Sequence, residues 1–144
     1  MIRGLTKAVL FAALSVAPIA YTAQEITVYK NANCECCGKW VEHLRQNGFQ
    51  VKAQDVMDLN EIKARYGVRP HLASCHTAVV DGYVVEGHVP AEAVRRLLGE
   101  RPKVRGLTVP GMPVGSPGME GPHPERFNVY TFDDKGETRV YMRY

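Results

Sequence analysis

The hydrophobic period of this chain changes once, sharply, within "EITVYKNANCECCGKWVEHLRQNG", residues 25–48. Ile26 and Val28 alternate with polar neighbours, the pattern of a strand with one buried face. From Cys36 onward Trp40, Val41 and Leu44 recur at helical spacing, and Asn47-Gly48 supplies the stop. A strand that feeds a helix through the short turn at 31–33 calls for an α/β architecture with the helix packed on the sheet. Three of the four cysteines, Cys34, Cys36 and Cys37, fall at this strand-to-helix junction.

The rest of the chain extends the same pattern. Residues 49–56 read as a second strand. Residues 60–66 read as a short helix, with Asn60 as its cap and Gly67 after it. "RPHLASCH" is a loop. Residues 77–80 and 83–86 are strands joined at Asp81-Gly82, a strong hairpin signal. Pro90 opens a helix through Leu98, because proline is tolerated at a first helical position. "GLTVPGMPVGSPGMEGPHP", residues 106–124, is too dense in Gly and Pro for a regular element. A loop of that length in a small domain is usually functional or disordered. "FNVYTFDDKGETRVYMRY" reads as a C-terminal β-hairpin around Asp134-Lys135-Gly136. The order strand, helix, strand, helix, hairpin, helix resembles a thioredoxin-like fold, a central mixed sheet flanked by helices. That fold keeps its redox pair where the C-x-x-C of Cys34 and Cys37 falls.

Residues 1–23 read as a secretory signal peptide, with Arg3 and Lys7 ahead of an apolar run over 8–20 and small residues Ala20 and Ala23 for cleavage. The alternative is a retained membrane anchor, but the run is shorter than the roughly 18–20 residues that span a bilayer. The remaining domain, 24–144, is long enough to bury a modest core. Loss of Arg3 and Lys7 lowers the formal charge from +3 to +1, which points to neither nucleic acid nor a membrane surface as partner. Export would place the cysteines in an oxidising compartment, where four commonly make two disulfides in one of three connectivities. The spacing argues against simple stapling. Neighbouring α-carbons such as those of Cys36 and Cys37 lie about 3.8 Å apart, below the usual disulfide range. The cluster reads as a site.

Helix N-termini carry unpaired N–H groups and partial positive charge, and both favour thiolate over thiol. Thiolate is also the metal-binding form. Placement alone therefore serves dithiol exchange and metal binding equally. Cys36 and Cys37, about 100° apart around a helix, diverge, while Cys34 precedes the helix and can fold toward either. Three sulfurs then form a half-ring with one open side. Cys75, just before the strand at Thr77, is the candidate to close it. Thioredoxin-like oxidoreductases usually present a cis-proline there, and this chain has Ser74-Cys75-His76-Thr77 instead. Four converging soft thiolates select Cu(I), Zn(II) or an iron–sulfur cluster.

"CECCGKWVEHL", "HLASCHTAVVDGYVVEGHVPAEAVRRLL" and "GLTVPGMPVGSPGME" together resemble the CopG-like family of exported bacterial copper-resistance proteins, over roughly residues 25–144. The resemblance implies a thioredoxin-like fold, a periplasmic location and copper binding through clustered cysteines. Its cysteines match Cys34, Cys36, Cys37 and Cys75. The reading is then a periplasmic Cu(I)-binding protein of copper resistance, its four bridging thiolates able to hold a multinuclear cluster. Cys34 and Cys37 act as the redox pair, with copper ions and other periplasmic copper-handling proteins as partners. Two alternatives stand beside it: a thiol–disulfide oxidoreductase without a metal role, and a structural zinc site. Whether the chain is an enzyme stays open between the first reading and these.

Weaker candidates surround the cluster. Met112 and Met119 carry soft thioethers, but the expectation is that they pin the Gly/Pro loop to the core, with the loop covering the cysteines. His76 and His88 fall near the same end of the sheet, with ligation the lesser reading of each. His43 is expected to be solvated, His71 and His123 to be loop surface, and Trp40 and Val41 to be core.

Overall fold

The computed structural model describes residues 24–144, and the signal peptide expected over 1–23 lies outside them. The elements are β1 (Glu25–Lys30), α1 (Glu35–Gln46), β2 (Gln50–Asp55), α2 (Leu59–Arg65), a 3-10 turn (Pro70–Leu72), β3 (Thr77–Val80), β4 (Tyr83–Glu86), α3 (Ala91–Glu100), β5 (Gly106–Thr108), β6 (Asn128–Phe132) and β7 (Thr138–Arg143). They build one mixed sheet in the order β2-β1-β3-β4-β5-β6-β7. β1 is parallel to β2 and antiparallel to β3, and β4 is antiparallel to β3. With α1, α2 and α3 these four strands are the thioredoxin-like unit. β5, parallel to β4, and the antiparallel β6 and β7 extend the sheet beyond it.

Side chains alternate across the sheet, and the two faces are covered differently. Ile26, Val28, Ala78, Val80, Val85, Leu107 and Val129 meet Trp40, Val41 and Leu44 of α1 and Ala93, Val94 and Leu97 of α3 in the main apolar core. The other face is thinner: Val68, Leu72, Val84 and Phe132 form a small cluster beside α2 and the 3-10 turn. It also carries a buried polar group, in which the Lys63 ammonium of α2 pairs with the Glu86 carboxylate of β4.

Several boundaries differ from the sequence expectation. Asp58, not Asn60, caps α2: its Oδ1 accepts the Asn60 amide at 2.8 Å and the Glu61 amide at 3.3 Å. A carboxylate satisfies these orphan donors and suits the helix's positive end better than an amide. Pro90 precedes α3 as its cap rather than opening it, and the helix runs on to Glu100. Residues 106–108, read as part of an irregular segment, form β5. Their strand conformation comes from the neighbouring strands. At Gly106 the backbone runs so close to the Val84 carbonyl that no Cβ would fit.

Candidate metal centre

Two arms bring the cysteines together. The first is the start of α1. Cys34 is its N-cap residue, held by a turn in which the Cys34 amide donates to the Asn31 carbonyl at 3.1 Å. One helical turn separates Cys34 from Cys37, an α-carbon distance of 5.3 Å, and the two sulfurs are joined as a disulfide. Cys37 points into the core and is fully buried, while Cys36 diverges from it and is part-exposed, as the helical spacing predicts. The Cys36 Sγ lies 3.5 Å from the Cys34 Sγ.

The second arm is the bend Ser74–Cys75–His76 ahead of β3. It puts the Cys75 Sγ 3.9 Å from the Cys36 Sγ, on the open side of the half-ring. All four cysteine sulfurs lie within 4.8 Å of one another. The bend is fixed from below by Glu86. Its carboxylate accepts the Ser74 amide at 2.8 Å and the Thr77 hydroxyl at 2.6 Å, and pairs with Lys63. Burial pushes the Glu86 pKa up, while Lys63 and these donors pull it back.

The hairpin adds two imidazoles. Counting outward from the Asp81–Gly82 turn, Val80 faces Tyr83 and Thr77 faces Glu86. Two further steps along the same register bring Cys75 opposite His88. The His88 Nε2 lies 2.9 Å from the Cys75 Sγ, and the His76 Nδ1 lies 3.3 Å from it. Both imidazoles are buried, and burial lowers both pKa values, so the rings are neutral lone-pair donors near pH 7. The Cys75 thiol is pushed up to about 12, first by burial and then by its neighbour Cys36. A metal that took Cys75 as thiolate would displace a proton. On sequence alone these two histidines are the lesser candidates, yet both stand beside Cys75. The register of the Asp81-Gly82 hairpin was the signal that could have raised them.

The Gly/Pro loop covers this end of the molecule. Its Pro117 carbonyl accepts from the His88 Nδ1 at 2.8 Å. A Cβ at Gly118, where φ is +89°, would lie 2.7 Å from the Cys36 carbonyl oxygen and 3.0 Å from the Trp40 amide. Only glycine lets the loop approach so closely in this conformation. Met119 lines a cleft of about 410 Å³ together with Cys36, Lys39 and Val114. Met112, expected to pin the loop, is 50% exposed instead. His123 is exposed, and His71 donates from Nε2 to the Gly136 carbonyl. His43 is not the solvated residue expected: its Nε2 accepts the Ala91 amide at 3.0 Å, supplying the cap that Pro90 has no side chain to give. Trp40 is core as expected, donating from Nε1 to the Val89 carbonyl at 2.9 Å and packing on the His76 ring.

The fold and site together define a thioredoxin-like domain whose first helix carries a sulfur cluster edged by two imidazoles. Comparison with solved structures gives copper resistance protein CopG in two forms. Form 2 has a TM-score of 0.81 at 44% identity, covering 85% of this chain and 99% of that one. Form 1 has a TM-score of 0.80 at 44% identity, covering 85% and 98%. A family model described as "Protein of unknown function, DUF411" matches residues 72–119, from the end of the 3-10 turn to Met119. No curated protein matches the chain significantly. This chain belongs to the CopG family.

Proposed function

We propose that this protein is an exported copper-handling protein that holds Cu(I) through Cys34, Cys36, Cys37 and Cys75 in their reduced, thiolate form. The observation that carries this reading is the mutual approach of all four sulfurs within 4.8 Å, from two separate arms of the fold. Soft, bridging thiolates suit Cu(I), and four of them can hold more than one ion. The copper-resistance relatives support copper over zinc. The reading extends to removal of residues 1–23 as a signal peptide and to a periplasmic location. No helix among the described residues is long and apolar enough to cross a membrane.

Cys34 and Cys37 would couple copper state to thiol state. Closing the dithiol releases two electrons and two protons. The electrons reduce two Cu(II) to two Cu(I), the protons go to solvent, and Cys36 and Cys75 remain as thiols. Mixing the reduced protein with Cu(II) under anaerobic conditions should therefore yield two Cu(I) for each disulfide formed. Disulfide formation without Cu(I), or no reaction, counts against the coupling.

The disulfide across the start of α1 also favours a second reading, a thiol–disulfide oxidoreductase without a metal role. Insulin reduction that persists in Cys36→Ser and Cys75→Ser, with no competitive copper binding by the native chain, would favour it.

A further inference from the structure

We infer that the Cys34–Cys37 disulfide is re-reduced by a separate dithiol-bearing protein, which docks on the face carrying Met57 and residues 31–33 and attacks at Cys34. The inference rests on the coupling proposed above, in which closing the dithiol uses both of its electrons. A second round of Cu(II) reduction then requires a donor. Thiol–disulfide exchange is the class of reaction that reopens such a bond.

The strand order sets out the approach. Along β2-β1-β3-β4-β5, Cys34 follows β1, Cys75 precedes β3, and the Gly/Pro loop follows β5. The loop closes the β3–β5 side, where Gly118 lies against the Cys36 carbonyl and the Pro117 carbonyl accepts from His88. Among the described residues the β2 side is bare. Asn31, Ala32 and Asn33 are all exposed. Beside them the Val56 amide donates to the Lys30 carbonyl at 2.9 Å, and the next residue, Met57, is 101% exposed. Flexible thioether side chains suit surfaces that adapt to a partner. Redox encounters bury little area, below about 1,200 Å² in total, so a small face of this kind fits a transient donor.

Burial decides which sulfur is attacked. Cys37 is fully buried and Cys34 is part-exposed, so an incoming thiolate reaches the Cys34 Sγ. Its attack forms the donor–Cys34 bond, breaks the Cys34–Cys37 bond and expels Cys37 as thiolate. The donor's second thiolate then attacks the donor sulfur of the mixed disulfide and expels Cys34. The two expelled thiolates take up the two protons that the donor thiols lose, and the donor leaves as a disulfide. Cys34 is the N-cap residue of α1 and Cys37 lies in its first turn, which has no side-chain cap. Unpaired first-turn amides are therefore available to both leaving sulfurs.

The test is anaerobic reduction of the copper-free disulfide form, with thioredoxin as the probe donor and dithiothreitol as a small dithiol for comparison. Thioredoxin should act faster than dithiothreitol at equal dithiol concentration. Met57→Glu should slow thioredoxin about tenfold, the order of a central interface contact, and leave the dithiothreitol rate unchanged. Met57 is fully exposed, so this variant keeps the fold. Met112→Glu, on the loop side, should leave both rates unchanged. Acid quenching during reduction by a thioredoxin whose second cysteine is serine should leave the donor bound to Cys34, with Cys37 a free thiol, as mapped by mass spectrometry. Thioredoxin no faster than dithiothreitol, a thioredoxin rate indifferent to Met57→Glu, or a donor adduct on Cys37 would each overturn the proposal. Copper is absent throughout, so failure here leaves the expected yield of two Cu(I) for each disulfide untouched, and failure of that yield appears only in the Cu(II) experiment.

Discussion

The two arms of the sulfur cluster are built by different means. The α1 arm is local: Cys34, Cys36 and Cys37 are placed by a turn and the first turn of a helix. The Cys75 arm is tertiary. Its bend is held by a carboxylate twelve residues on, by a lysine from α2, and by the register of the β3–β4 hairpin. In redox folds of this type a proline commonly occupies the second arm. Here a polar clamp under the bend leaves room for a thiol and two imidazoles above it. A helix start can supply sulfurs, but their closure into a ring depends on contacts that span the domain.

That contrast can be broken at the clamp first. Glu86→Ala leaves the Lys63 ammonium unpaired and the Ser74 amide unsatisfied, and removing one partner of a buried pair typically costs about 3–5 kcal/mol. The expected outcome is a loss of that order in urea unfolding, with faster alkylation of Cys75 in the folded protein and an unchanged ability to form the Cys34–Cys37 disulfide. Equal disturbance of both arms would show that they are not independent.

A smaller effect is expected where the Gly/Pro loop meets the other arm. Gly118→Ala puts a side chain against the Cys36 carbonyl at positive φ, a strain of about 1–3 kcal/mol. The loop should lift from α1, and Cys36 should alkylate faster while Cys75 stays protected. Thiol mapping by mass spectrometry checks this.

The smallest is at His43, which joins α1 to α3 away from both arms. His43→Ala should cost about 1 kcal/mol, the typical worth of a helix cap. Burial lowers the His43 pKa, with Glu120 opposing. The unfolded chain therefore binds the proton more readily, and the cap's contribution is complete above the ordinary value of 6.5 and fades as pH falls through the lowered folded value. The stability difference between native protein and His43→Ala should shrink from pH 7.5 toward acid. A difference that does not change with pH would contradict this role.

What the sequence made legible follows the same division. The period change at Cys36, the Asn47-Gly48 stop and the Asp81-Gly82 turn are local signals, and α1, β3 and β4 stand where they indicate. Asp81 and Gly82 both have positive φ, as a tight hairpin turn requires. The cysteine cluster was legible because α1 is regular. β5 was not, because its Gly-Leu-Thr is a strand only by lying between β4 and β6. Nor were the roles of Glu86 and Lys63, which read as ordinary charged residues until α2 and β4 are brought together. His43 looked like solvent-facing helix surface, and only the approach of α3 makes it a cap.

The most direct measurement is anaerobic Cu(I) titration of the reduced protein against a competing chelator, with copper per chain counted by native mass spectrometry. The account predicts tight binding of more than one Cu(I), reduced in Cys36→Ser from the helix arm and equally in Cys75→Ser from the bend. No competitive binding, or binding indifferent to Cys75→Ser, would contradict a cluster that needs both arms.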